Sequence, residues 1–248
     1  MGRVLCVANQ KGGVGKTTTA INLSAALAKA GMKVLLVDLD PQCNATTGLG
    51  QTPSANHPLV TGVPLAEGTV ATGVAGLDLL PGTRSFRDIE LLARDQNSPT
   101  NRLRDYLELG LNRYDFVLID CPPSVGPLTR TALAGSTEVL MPIQCEYFAM
   151  EGLTQMIEVI RDVILHDAHQ LQFGGILLTM YDHRLELTHE VDREVRDFFG
   201  EIVFQTAIPR DVAVSEAPSH GLPVLDYNPR ARGSRAYAEL CMEVLDRD

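Results

Sequence analysis

The chain has 248 residues, 45% of them hydrophobic, which is enough to bury the core of one α/β domain spanning residues 1–248. A formal net charge of −10 excludes a generally basic nucleic-acid binder, so any such contact must come from a local patch. No apolar run reaches the ~18 residues of a membrane span and no signal peptide precedes the first apolar run, which predicts a cytoplasmic protein without a membrane partner.

Arg3 to Ala8 is a short apolar run, as a buried parallel strand would be. It leads into Asn9-Gln10-Lys11-Gly12-Gly13-Val14-Gly15-Lys16-Thr17-Thr18-Thr19. Glycines at 12, 13 and 15 let the backbone turn its N–H groups toward one point, and a helix opening near Thr17 adds its positive end. This is the composition of a phosphate cradle. Lys16 supplies charge to the outer phosphates, and Thr17 supplies a hydroxyl to Mg²⁺, a hard cation that takes oxygen ligands. Gln10 stands where the usual loop has its first glycine.

Thr18 to Ala30 reads as a helix closed by Gly31, and Lys33 to Asp38 as the next strand. Asp38 and Asp40 then sit at a strand's carboxyl end, on the nucleotide side of an open α/β sheet, although either could instead cap the next turn. Gln51 to about Gly76 is rich in Pro, Gly, Ala and Thr with little periodicity and reads as a surface excursion. Leu77 to Pro81 reads as a strand, and Phe86 to Leu109 as one or two helices broken around Asn97-Ser98-Pro99.

Tyr114 to Asp120 is an apolar strand ending in a carboxylate, followed by the stiff turn Cys121-Pro122-Pro123-Ser124. An acid in that place of a phosphate-loop protein holds Mg²⁺ directly or through water. Glu138 to Ile143 is another strand, and Ala149 to Asp167 a long helix whose Leu153, Ile157, Ile160 and Ile164 stripe faces the core. Phe173 to Met180 and Val203 to Pro209 are further strands, with Thr188 as the cap of the helix between them and a closing helix from Ser234 to Leu245. Strands alternating with helices predict an α/β fold with a mostly parallel central sheet covered on both faces. The five cysteines show no Cys-x-x-Cys spacing and read as reduced, with Cys6 and Cys145 in the core. The six histidines show no ligand spacing and read as surface residues.

Taken together, Lys11-Gly-Gly-Val-Gly-Lys-Thr-Thr18, Val37-Asp-Leu-Asp-Pro-Gln42, Ile119-Asp-Cys-Pro-Pro-Ser124, Gln144-Cys-Glu-Tyr147, Ile208-Pro-Arg210 and Glu216-Ala-Pro218 closely resemble the ParA/Soj group of ParA/MinD ATPases, whose phosphate loops are deviant Walker A motifs. The likeness spans almost the whole chain except 51–76. It implies a single P-loop NTPase domain that binds and hydrolyses ATP to ADP with Mg²⁺. Gly12, Gly13, Val14, Gly15, Lys16, Thr17 and Thr18 would hold the phosphates, Lys11 would reach a partner's phosphates across an ATP-bound homodimer, and Gly12 would lie at the seam. Asp40 would position the attacking water, with Asp38 supporting it; Thr17, Asp40 and Asp120 form the implied magnesium set. Met180, Pro209 and Arg210 would lie near the adenine.

Such proteins act as slow partitioning switches on the nucleoid: the ATP dimer binds DNA non-specifically, and a ParB-type centromere-binding protein triggers hydrolysis and release. A low rate without the partner suits a complete site whose water-positioning loop is not held. The family's Pro-Arg-Asn-Val-Arg stretch carries a DNA-binding arginine, whereas this chain reads Pro209-Arg-Asp-Val-Ala213. DNA affinity would then be weaker or be routed through Arg184, Arg230, Arg232 and Arg235, arginines that equally suit ordinary surface charges. Related chains often have glycine where Cys43 stands. The alternative reading is a nucleotide-gated scaffold that positions a cargo other than DNA.

Overall fold

The computed structural model describes residues 2–85, 87, 88, 91, 99–108, 110–147, 149–166 and 171–247. Eight strands, β1 (Arg3–Val7), β2 (Val34–Asp38), β3 (Val70–Ala71), β4 (Leu77–Leu80), β5 (Phe116–Asp120), β6 (Glu138–Gln144), β7 (Gln172–Tyr181) and β8 (Val203–Pro209), form one sheet in the order β3-β4-β2-β5-β1-β6-β7-β8. Every neighbouring pair is parallel except β3 with β4.

The central strands are apolar at consecutive positions because both faces are covered. Val4 and Cys6 of β1 point to one face, where they join Val117, Ile119, Met141, Leu153 and Ile160. Leu5 and Val7 point to the other, where they join Leu36, Leu118, Ile21, Leu27, Tyr237 and Leu240. Helices α1 (Lys16–Lys29) and α11 (Arg232–Asp246) cover that second face; α5 (Pro99–Glu108), α6 (Pro127–Ala134), α7 (Ala149–His166) and α8 (Glu186–Phe199) cover the first. Full burial of side chains such as Leu5 or Leu36 stabilises the fold by roughly 1.5–3 kcal/mol each. The topology brings the carboxyl ends of β1, β2 and β5 together, the place where open parallel sheets bind ligands.

Several expectations are met within one or two residues, including β1, β2, β5, the stripe of α7 and buried, unpaired Cys6 and Cys145. Others need correction. The stretch from 51 to 76 is not a mere surface excursion: short helices α2 (Asn44–Gly48), α3 (Pro58–Thr61) and α4 (Leu65–Gly68) bracket and occupy it, β3 adds an edge strand, and Leu59 and Leu65 enter the core. His57 is buried at 2% exposure, not on the surface. Thr188 does not cap α8; the helix begins at Glu186 after Leu185, which makes no side-chain cap, and Thr188 lies on the buried face with Val191 and Val195. The closing helix starts at Arg232, two residues before Ser234. Of the helices expected over 86–109, α5 is described; the break at 97 and 98, the helix end at 167, and His169 lie outside the described residues.

Candidate functional site

Strand β1 delivers the chain into the glycine loop, and the loop is anchored at both ends. Asn9 Nδ2 donates to the Pro142 carbonyl at 2.8 Å, while its Oδ1 accepts from Lys11 N–H at 3.0 Å. At the far side Thr179 Oγ1 lies 2.9 Å from the carbonyl oxygens of both Val14 and Ile143. Gly13 and Gly15 adopt left-handed backbone with φ of 76° and 88°, where an L side chain is strained. Among the described residues, a side chain at Gly12 would meet only Pro123 Cβ, at 3.8 Å.

Lys16, the first residue of α1, is 6% exposed and its Nζ donates to the Lys11 carbonyl at 2.9 Å. Burial lowers its pKa, and the charges of Asp120, Cys121 and Asp40 oppose that shift. Lys11 is half-exposed and its Nζ lies 2.8 Å from Glu146 Oε2. Glu146 also accepts from Gln144 Nε2.

The three expected carboxylates converge in front of this loop, and their environments differ sharply. Asp38 Oδ2 accepts from Thr46 N–H at 2.8 Å and Thr46 Oγ1 at 2.6 Å, and Oδ1 accepts from Asp40 N–H at 3.2 Å. Burial nevertheless lifts its pKa to about 6. Asp40 Oδ1 accepts from Gln42 N–H at 2.9 Å, and the Asp40 carbonyl accepts from Cys43 N–H at 2.8 Å. These contacts pin the turn that bears Asp40. Asp120 is fully buried, and neither carboxylate oxygen has a hydrogen-bond partner among the described residues. The Thr17 hydroxyl favours its ionised form without reaching bonding geometry. Burial first, then the charges of Asp38 and Asp40, push its pKa well up, with Thr17 and Lys16 pulling back. An orphaned buried carboxylate beside a threonine hydroxyl and a phosphate loop fits a hard divalent cation. Among the described residues no group of three His, Cys, Asp or Glu side chains forms a metal site alone, so the remaining oxygens would come from phosphates and water.

Met180, Pro209 and Arg210, the residues implied to lie near the adenine, line one cleft with Gly15 and Thr18. Met180 has φ of 51°, a strained backbone of the sort that clusters at ligand sites. Tyr237 and Val214 also line the cleft, and nothing local in the sequence signals either.

The arginines are less concentrated. Arg184 is clamped on Asp182 through Nε at 2.9 Å and Nη2 at 2.7 Å, holding that carboxyl well below its ordinary range. Arg232 Nη2 donates to the Arg210 carbonyl at 3.2 Å, and Arg230, Arg232 and Arg235 are exposed around the start of α11. Asp211 is used structurally: it caps α9 (Val212–Glu216) by accepting from Ala213 N–H at 3.0 Å and accepts from Gly233 N–H at 2.9 Å. Ala213 faces the core at 8% exposure.

A family model described as an AAA domain matches residues 2–173. The sporulation initiation inhibitor protein Soj of Bacillus subtilis is 45% identical over 98% of this chain and 98% of its own. The chromosome partitioning protein ParA of Caulobacter vibrioides is 46% identical over 99% of this chain and 95% of its own. The chain belongs to the Soj/ParA family of chromosome-partitioning ATPases. Among solved structures, a Mycobacterium smegmatis protein named cobyrinic acid a,c-diamide synthase, with bound ATP analog and magnesium, superposes with a TM-score of 0.85 at 34% identity, covering 99% of this chain and 95% of that one. No helix among the described residues is long and apolar enough to cross a membrane.

Proposed function

We propose that the protein is an ATP-driven partitioning switch whose 248 residues act as one ATPase unit. The observation that carries this reading is the buried, unpartnered Asp120 carboxylate placed against the Lys16–Thr17 end of the glycine loop. Backbone N–H groups from Gly12 to Thr18 and the Lys16 ammonium bind the phosphates of ATP or ADP. Thr17, Asp40 and Asp120 hold Mg²⁺, which neutralises charge on the phosphates. Met180, Pro209 and Arg210 enclose the adenine.

Asp40 orients the water that attacks the γ-phosphate, and the pinned turn keeps its carboxylate aimed into the site. Lys11 leaves Glu146 to reach the γ-phosphate in a second protomer, so hydrolysis requires a homodimer. Gly12 then serves the seam between facing nucleotides, since little inside the protomer crowds it.

The ATP dimer binds DNA non-specifically through Arg230, Arg232 and Arg235, with Arg184 joining once freed from Asp182, and so associates with the nucleoid. A ParB-type centromere-binding protein stimulates hydrolysis and release. Fluorescence anisotropy with random-sequence duplex tests this across a salt series. The six arginines at 230, 232 and 235 of two protomers predict a log–log slope of about −5 with ATP, steepening to about −7 if both Arg184 side chains join, and negligible binding with ADP. An ATP dimer that ignores duplex at low salt would instead support a switch that positions another cargo, a reading favoured by the buried Ala213 and by the engagement of Arg184 with Asp182.

A further inference from the structure

The stretch from Gln51 to Ser85 supplies none of the residues assigned to the nucleotide, yet it is tied to the Asp38–Asp40 turn at several points. Thr46 Oγ1, which donates to Asp38, accepts from Gly82 N–H at 2.9 Å. The Gly82 carbonyl accepts from Ser54 N–H at 2.9 Å, and Thr83 Oγ1 donates back to the Ser54 carbonyl at 3.0 Å. A Cβ at Gly82 would stand 3.0 Å from Asp38 Cγ and 3.1 Å from Cys43 Sγ, so the segment is pressed against the turn.

His57 is the centre of this contact. Its Nδ1 accepts from Leu59 N–H at 3.2 Å, which leaves the ring proton on Nε2. That nitrogen lies 3.4 Å from the Asp38 carbonyl oxygen and donates to it. The backbone N–H of His57 donates in turn to Asp88 Oδ2 at 2.7 Å, and Asp88 is itself buried. Burial also lowers the His57 pKa to about 4, so the ring stays neutral and a single tautomer persists at neutral pH.

We propose that His57 is a positioning residue for ATP hydrolysis: by bridging the 51–88 segment to the Asp38 carbonyl, it fixes the turn on which Asp40 stands. This rests on the assignment of Asp40 to the attacking water. A hydrogen bond to the Asp38 carbonyl sets the peptide plane entering Leu39, one residue upstream of the carboxylate that must be aimed. Asn at 57 retains an oxygen able to cap α3 at Leu59 N–H but is too short to span to Asp38, so it separates helix capping from the bridge.

The test compares wild-type protein with His57→Asn, and with His57→Ala as the variant that loses both contacts. Steady-state ATP turnover is read together with amide hydrogen exchange over residues 39–46. His57→Asn is expected to lower kcat on the order of tenfold, the effect of one buried hydrogen bond, with KM for ATP unchanged. Exchange over 39–46 should quicken by a similar factor while β1 and β5 stay protected. Wild-type exchange in that turn, or wild-type kcat, for His57→Asn would overturn the bridge, whatever His57→Ala does. Absence of ATP turnover by the wild-type protein would remove the hydrolysis reading instead, and the exchange data would then decide the bridge alone.

Discussion

Asp38 and Asp120 are register partners at the carboxyl ends of adjacent parallel strands, yet the first carboxylate accepts three hydrogen bonds and the second accepts none. Asp38 therefore builds the turn, and Asp120 is left bare toward the glycine loop. The difference arises from the residues that leave each strand. After β2 the chain folds back through Thr46 and supplies donors, whereas after β5 Pro122 and Pro123 have no N–H to give.

The bare carboxylate makes the nucleotide-free protein pay for its own site. Its folded pKa stands above the unfolded value, so protonation favours folding, and that stabilisation is lost as pH rises through the folded pKa. At pH 8 Asp120→Asn removes the ionisable oxygen and should stabilise the nucleotide-free protein by about 1–3 kcal/mol. Thermal melts should show Tm higher by several degrees without ligand, and a loss of the further rise expected of the wild-type protein with Mg²⁺ and ATP. A lower Tm without ligand would mean that Asp120 is satisfied in the folded protein.

His57 works in the opposite direction. Its folded pKa of about 4 lies below the unfolded imidazole value of 6.5, so the unfolded chain binds more protons between these limits. Stability from this residue is complete above about pH 6.5 and is lost as pH falls toward 4, by up to about 3 kcal/mol. Asp38 and Asp120 titrate with the reverse sign, but they are shared with the His57→Asn variant. Urea denaturation of both proteins at pH 7 and pH 4.5 isolates the histidine: the wild type should lose more stability on acidification than the variant. Equal losses would place His57 in contact with solvent.

Cys43 occupies φ of 56° at the start of α2, a conformation that costs an L residue about 1–2 kcal/mol and glycine almost nothing. Glycine forfeits about 0.5–1 kcal/mol through its looser unfolded state. Cys43→Gly should therefore change stability by between zero and about +1.5 kcal/mol in equilibrium denaturation, with the Asp40 turn unaltered. Destabilisation beyond about 1 kcal/mol would show that the thiol's packing against Gly82 outweighs the backbone strain.

The parts of the site legible in the sequence were those in which chemistry and periodicity coincide over a short span. The β1–loop–α1 unit is one: a strand, three glycines, Lys16-Thr17 and an alanine-rich helix identify it within about thirty residues. Asp120 was legible for the same reason, as a carboxylate closing an apolar strand. Its lack of partners was not, because that depends on the register with β2 and on what the neighbouring chain donates. The burial of His57 is not legible because the apolar residues around it, Ala55, Leu59 and Val60, set no period, and its partner Asp38 is 19 positions away. Thr188 illustrates a local rule overridden by packing. Threonine favours a cap, but spacing of three and seven to Val191 and Val195 puts it on the buried face, and the helix starts earlier from the Asp182–Leu185 turn. Tyr237 reaches the cleft from the last helix, a contact that only the closed sheet creates.

In the proposed switch ATP, and not ADP, converts the protein to a dimer that hydrolysis at Asp40 later dissolves. Light scattering gives the mass directly, with ADP, with ATP, and with ATP for Asp40→Ala. The expected masses are the 27.0 kDa protomer with ADP and twice that with ATP, and the dimer should persist in Asp40→Ala long after the wild type has reverted. One mass under all three conditions, or a dimer that Asp40→Ala dissolves at the wild-type rate, would contradict the switch.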